Sequence, residues 1–210
     1  MEQRTEEWLR FRTNKIGASD SAIICGISPW KGVHELWLEK TGRAKSEYKT
    51  NFAIERGNRL EPVVRAMSET FLDLDFPPET LVSPERAFLM ASLDGWNKDS
   101  LSVLEIKVGN REDHLKDVVP IKYFPQIQQQ MYVFGAETAY YSSYYVAKGT
   151  DELCGNLKIL KVKRCEEWLE KYLVVADKFY ECMQNGTPPD EVRLDPQSTC
   201  AYSELFVRVK

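Results

Sequence analysis

Val103-Leu104-Glu105-Ile106-Lys107-Val108 is a run in which an acid and a base interrupt an otherwise apolar strand pattern. Side chains alternate across an extended chain, so Leu104 and Ile106 share one face while Glu105 and Lys107 share the other. Burying an unpaired carboxylate is expensive, so a Glu and a Lys projecting together from such a strand need a partner, and a divalent cation is one candidate. Asp94-Gly95 precedes this run, closing the apolar stretch Phe88-Leu89-Met90-Ala91-Ser92-Leu93. A hairpin through the polar stretch Trp96 to Ser100 would return the chain beside that stretch. Asp94 would then stand next to Glu105, with Lys107 just beyond.

Two carboxylates and a strand carbonyl, that of Ile106, are hard oxygen ligands suited to Mg²⁺ or Mn²⁺. Such a metal lowers the pKa of bound water and stabilises charge on a phosphate in transfer. Lys107 is placed to orient or deprotonate the attacking water, or to neutralise the phosphate. The pattern therefore reads as a hydrolytic centre for phosphodiesters. A second reading stays open, because Glu105 and Lys107 also suit a solvated strand face with cross-strand ion pairing. Glu47-Tyr48-Lys49 repeats the triplet in a polar segment without apolar flanks, and Asp-Gly is an ordinary turn dipeptide.

The 210 residues suit a single domain with a substantial core, and 43% hydrophobic with 29% charged residues is the balance of a soluble globular protein. The sequence has neither an apolar stretch of membrane-spanning length nor a signal-peptide pattern at Met1–Glu7, so a cytoplasmic protein without membrane attachment is expected. Five scattered cysteines (25, 154, 165, 182, 200) argue against a disulfide framework, and no close Cys pair suggests zinc. A net charge of −4 leaves nucleic-acid binding open, since the footprint of such binding is a local patch. Basic residues gather early, at Arg10, Arg12, Lys15, Lys31, Lys40, Arg43, Lys45 and Lys49.

A first helix is expected around Trp8-Leu9-x-Phe11. A second, over Ser21 to Gly26, would be capped by Ser19 or Asp20, and a third through Glu35–Lys40 would close at Thr41-Gly42. Phe52 to Phe71 reads as helix, kinked or restarted at Pro62. Strands follow at Leu81–Val82, Phe88–Leu93 and Val103–Val108. A helix opened by Pro125 runs to Gly135, then come strands Tyr140–Val146 and Leu157–Val162. An amphipathic helix from Glu166 to Gln184 carries Trp168, Tyr172, Val175, Phe179 and Met183 on one stripe and stops before Asn185-Gly186-Thr187-Pro188-Pro189. Residues 188–210 read as a polar tail. The predicted fold is α/β, a central mixed sheet flanked by helices.

Gly57-Asn58-Arg59-Leu60-Glu61-Pro62, Leu93-Asp94-Gly95, Leu104-Glu105-Ile106-Lys107 and Pro125-Gln126-Ile127-Gln128, in this order, resemble the lambda exonuclease, or YqaJ-type viral recombinase, branch of the PD-(D/E)xK nucleases. Arg12-x-x-x-Ile16-Gly17-Ala18-Ser19-Asp20 and Thr41-Gly42 fit the same branch, and the resemblance covers about residues 8–187. It implies a restriction-endonuclease-like core with Asp94, Glu105 and the Ile106 carbonyl as metal ligands. Lys107 would position the nucleophilic water, and Glu61 would contact the metal or its water. Gln126, with Tyr123 or the rival Gln128, would orient water or phosphate. Arg12, Ser19 and Ser92 match the residues that hold a terminal 5′-phosphate, and an arginine fork with two hydroxyls is a sound phosphate cradle. The implied activity is that of a phage-type alkaline exonuclease: Mg²⁺-dependent (Mn²⁺ substituting, two ions), it digests one strand of linear double-stranded DNA from its 5′ end to mononucleotides. The remaining 3′ overhangs would serve recombination by single-strand annealing. Ring-shaped homotrimers and a single-strand annealing partner are implied with it.

Each assignment has a plainer counterpart. Glu61 suits an exposed helix position, Gln126 to Gln130 a solvated helix face, Arg12 a surface ion pair, Ser19 a cap and Ser92 a turn approach. Gly17-Ala18-Ser19-Asp20-Ser21 lacks the closing glycine of a nucleophile elbow. His34 and His114 have no supporting pattern for a Ser-His-Asp or zinc site. Cys25, Cys165, Cys182 and Cys200 are spaced too widely for a usual iron–sulfur motif. An endonuclease of the same fold and a non-catalytic DNA-binding recombination subunit are the rival functions.

Overall fold

Alternation along the central strand sets the layers of the molecule. The computed structural model describes residues 5–45, 51–148 and 152–210, so Glu47-Tyr48-Lys49 lies outside the described residues. The chain runs α1 (Glu6–Thr13), β1 (Ile16–Gly17), α2 (Ser21–Ile24), α3 (Val33–Lys40), α4 (Phe52–Leu72), β2 (Glu79–Val82), β3 (Leu89–Leu93), β4 (Gly95–Asn97) and β5 (Ser102–Val108). It continues as α5 (Arg111–Leu115), α6 (Phe124–Phe134), β6 (Thr138–Tyr145), β7 (Asn156–Lys163), α7 (Glu166–Asn185), α8 (Pro196–Thr199) and β8 (Phe206–Arg208). On β5, Val103 turns into the larger core with Phe124, Ile127, Met131 and Trp168, whereas Leu104 and Ile106 turn into a second core with Leu60 and Val64 of α4. Helices α6 and α4 thus cover opposite faces of the strand that carries the acid–base pair.

The expected mixed architecture is present, divided at Asp94 into two sheets. One has the order β1-β3-β2 and the other β4-β5-β6-β7-β8. Pairs β1/β3 and β5/β6 are parallel, and the remaining pairs are antiparallel. The hairpin falls later than expected. Trp96 is a core residue of β4, and the turn follows it, with Leu101 in the left-handed region at φ 46°.

Other differences have physical causes. Pro62 does not restart the helix, since α4 is one element with Pro62 on its exposed side. Leu60, Val64 and Ser68, four residues apart and buried, hold the backbone helical through the missing donor. Asp20 does not cap α2 with its side chain. Residues Ala18–Asp20 form a 3-10 turn, and the Asp20 carboxylate accepts the Gly17 N–H at 2.9 Å. The C-terminal residues are not a loose polar tail, because β8 pairs with β7 while Tyr202 and Phe206 enter the larger core. Their apolar residues are too sparse to show a period, so only tertiary packing reveals them. Among the described residues, no helix is long and apolar enough to cross a membrane.

Candidate active site

Asp94 occupies the break between β3 and β4. The register Gly95↔Leu104 sets it across from Glu105, and its Oδ2 accepts the Ile106 N–H at 2.7 Å. Gly95 is what permits this approach: a Cβ there would stand 2.4 Å from the Phe76 Cβ and 2.8 Å from the Phe76 carbonyl oxygen. The Trp96 N–H then donates to the Pro77 carbonyl at 2.9 Å, locking the strand restart that aims Asp94 at β5.

Glu105 is 1% exposed, which removes the solvated-face reading for it. Its Oε1 accepts from the Lys107 ammonium and, at 2.7 Å, from Gln126 Nε2. Its Oε2 accepts from Gln130 Nε2 at 2.6 Å. Gln126 and Gln130 lie one turn apart on α6, so a single helix face grips both carboxylate oxygens. Gln130 is absent from the sequence-derived site, although its spacing from Gln126 was a usable signal. Its Oε1 is buried without a hydrogen-bond partner. Gln128 belongs elsewhere, contrary to the expectation for it. Its Nε2 donates to the Lys163 carbonyl at 3.0 Å and its Oε1 accepts the Cys165 N–H at 2.8 Å, bracing the junction of β7 and α7. At that end of α6 it cannot also serve the cleft, because residues two apart on a helix point to different sides.

The electrostatics are unbalanced. Burial raises the Asp94 carboxyl well above the usual carboxylate range, and the charges of Glu105 and Glu61 add to it against the opposing Lys107. Burial works against the Lys107 ammonium, but Glu105 and Asp94 outweigh it and hold Lys107 above its ordinary value. As an ammonium, Lys107 donates hydrogen bonds and accepts none. Asp94 and Glu105 share the Lys107 ammonium while Glu61 pairs with Arg65, and two carboxylates with a strand carbonyl form a donor set that suits a hard divalent cation. Among the described residues no three acidic, His or Cys side chains form a ready-made metal cluster. Asp94 and Glu105 alone fit Mg²⁺, which commonly takes one or two carboxylates and keeps several waters.

Opposite these acids, Arg12 Nη2 donates to Ser19 Oγ at 2.7 Å and to Asp20 Oδ1 at 2.9 Å. A Cβ on Gly17 would meet that guanidinium at 3.1 Å, so glycine lets Arg12 lie flat over the turn. Lys40 Nζ reaches Asp20 Oδ2 at 2.8 Å. Burial alone would raise Asp20, yet Arg12, Lys40 and the Gly17 N–H together hold its carboxyl well below the usual range. Ser92 Oγ accepts from Trp8 Nε1 and from Thr80 Oγ1, each at 3.0 Å, which leaves its own hydrogen free to donate. Arg12, Ser19, Ser92, Glu61, Asp94, Glu105, Lys107, Tyr123 and Gln126 all line one cleft of about 380 Å³. On its wall, Glu61 accepts from Arg65 Nη2 at 3.2 Å, one turn along α4.

The same fold occurs in an alkaline exonuclease, LHK-Exo, from Laribacter hongkongensis. The TM-score is 0.70, and 0.71 for its complex with dAMP, at 22% identity over 87% of this chain and 94% of the other. A phage-related exonuclease from Haemophilus somnus 129PT matches with a TM-score of 0.58 at 14% identity, over 82% and 96% of the two chains. The fold is therefore PD-(D/E)xK-like. Residues 7–138 match the YqaJ-like viral recombinase domain, and the chain belongs to that family. The uncharacterised protein YqaJ of Bacillus subtilis (strain 168) is 31% identical over 186 residues, 85% of this chain and 56% of YqaJ. The uncharacterised protein R354 of Acanthamoeba polyphaga mimivirus is 28% identical over 149 residues, 63% of this chain and 27% of R354. The chain thus spans about half or less of the curated relatives it matches.

Proposed function

We propose that this chain is a divalent-metal-dependent 5′→3′ exonuclease that degrades one strand of linear double-stranded DNA and leaves 3′ overhangs for recombination by strand annealing. The observation that carries this reading is the convergence of Asp94, Glu105 and Lys107 at one cleft, two carboxylates against one ammonium. Asp94, Glu105 and the Ile106 carbonyl would hold Mg²⁺, with Mn²⁺ as a substitute and a second ion completing the pair, and Glu61 would reach the metal or its water. The metal supplies an activated water and a counter-charge for the phosphate.

The protein's own groups do the positioning. Lys107 presents its ammonium to the scissile phosphate and the incoming water, and Gln126 holds Glu105 while lining the same cleft. Arg12, with Ser19 and Ser92 as donors, would take a terminal 5′-phosphate and so set polarity. Backbone contacts would dominate the grip on duplex, so binding weakens as salt rises. The family's ring-shaped trimer, an annealing partner and a cytoplasmic setting belong to the same reading.

The test is release of acid-soluble nucleotides from 5′-phosphorylated linear duplex, with Mg²⁺ and with a chelator, beside covalently closed circles. Metal-dependent release from linear DNA with intact circles is expected. Cut circles would replace exonuclease by endonuclease, and binding without any cleavage would reject the enzyme.

A further inference from the structure

Resting on that nuclease reading, we propose that Trp30 is a stacking platform for an unpaired nucleobase of the DNA strand entering the cleft. In this arrangement Tyr123 joins the platform to the Lys107 ammonium. A lone exposed apolar side chain is common and marks nothing by itself. Trp30, 66% exposed, differs in what surrounds it. Its ring lies 6.2 Å from that of Tyr123 at 31°, and Tyr123 in turn stacks on the buried Tyr141 at 6.3 Å. Lys122 Nζ sits 5.5 Å from the Trp30 ring and 5.1 Å from the Tyr123 ring. Lys107 Nζ lies 5.2 Å from that same Tyr123 ring, so two contacts lead from the exposed indole to the reacting end of the cleft.

The turn that carries the indole is fixed: Trp30 follows Pro29, and its backbone N–H donates to Ser28 Oγ at 3.2 Å. Two acids on the neighbouring segments are engaged, Asp113 with Lys122 at 2.7 Å and Glu39 with Lys31 at 2.6 Å. A flat π-face beside ammonium groups is the combination that binds single-stranded nucleic acid without regard to sequence, because every base has a π-face. Paired bases hide those faces inside the stack, so the ligand class is a frayed or single-stranded end. Stacking there would offset part of the cost of opening the duplex beside the cleft.

The experiment uses the full chain in chelator and a single-stranded oligonucleotide carrying 2-aminopurine, whose fluorescence falls on stacking. Wild type should bind and quench it. Trp30→Ala should weaken binding about ten-fold or more and lose the quench, and Trp30→Phe should restore most of both. A blunt duplex of equal length should lose less affinity in Trp30→Ala. Unchanged affinity and quench in Trp30→Ala, or Trp30→Phe as poor as Ala, would overturn the platform. Cleavage of linear duplex by wild type is scored in parallel. If it occurs while Trp30→Ala binds normally, the platform falls and the nuclease reading stands. If wild type cuts no DNA, the nuclease reading falls and takes the platform with it.

Discussion

Two aspartates near one cleft, Asp20 buried behind Arg12 and Asp94 half-buried on its wall, are treated oppositely. Asp20 is one carboxylate met by two cations and a backbone N–H, and its proton is held off. Asp94 stands with Glu105 against the single ammonium of Lys107, and its carboxyl is raised well above the usual range. In the first arrangement the carboxylate is answered twice over, and it serves to fix Arg12. The second leaves one carboxylate charge unanswered, which a divalent cation would meet. A buried acid alone therefore says little about catalysis; the local charge count separates a brace from a reaction centre.

Breaking the second arrangement should have the largest effect. Glu105→Gln should lower cleavage by more than about 1,000-fold, beyond the 10–100-fold typical of second-shell metal-site changes, with DNA affinity largely kept, read by nucleotide release and a filter or gel binding assay. Breaking the first should register in folding. Asp20→Asn strands Lys40 and Arg12 and should cost about 3 kcal/mol in urea unfolding, typical of a buried pair losing one partner. Its pH signature follows from sign. The folded carboxyl lies below its unfolded value near 4, so its stabilisation is present above about pH 4 and lost as pH falls further. Wild type should lose stability across that acidic window, and Asp20→Asn should lose less.

Two finer measurements sharpen the contrast. Gln130→Met removes one donor from Glu105 without touching its charge, and should raise the Mg²⁺ needed for half-maximal cleavage about 10–100-fold. Asp94→Asn keeps an acceptor for the Ile106 N–H yet relieves the charge crowding. In chelator it should melt slightly higher than wild type, by roughly 1 kcal/mol of stability, and it should lose the upward shift in melting temperature that Mn²⁺ gives wild type. An equal Mn²⁺ shift in both proteins would show that the metal sits elsewhere.

Much of this was legible in the chain. Glu105 and Lys107 share a face because extended backbone alternates, and Gly135, at φ 66°, ends α6 where a glycine after an apolar period says it should. Legibility failed where tertiary packing overrode local signals. Pro62 sits inside a continuous helix, Trp96 in a stretch read as polar turn belongs to the core, and Gln128 points to a strand end instead of the cleft. Gln130 closes a run of three glutamines that the folded helix sends in separate directions, and its one-turn spacing from Gln126 was the signal that marked it. The Asp20 brace was out of sight, since Lys40 comes to it from twenty residues away.

The closing strand has a reach its composition conceals. Tyr202 and Phe206 set their ring edges on Phe124, at 5.2 and 6.3 Å, and the Tyr202 hydroxyl ties to the Val119 carbonyl. Phe124 begins the very helix that delivers Gln126 and Gln130. Trimming the final dozen residues to tidy the protein for crystals or assays would unseat that helix at its root, and would bare a flank of β7 ready to recruit neighbours into aggregates.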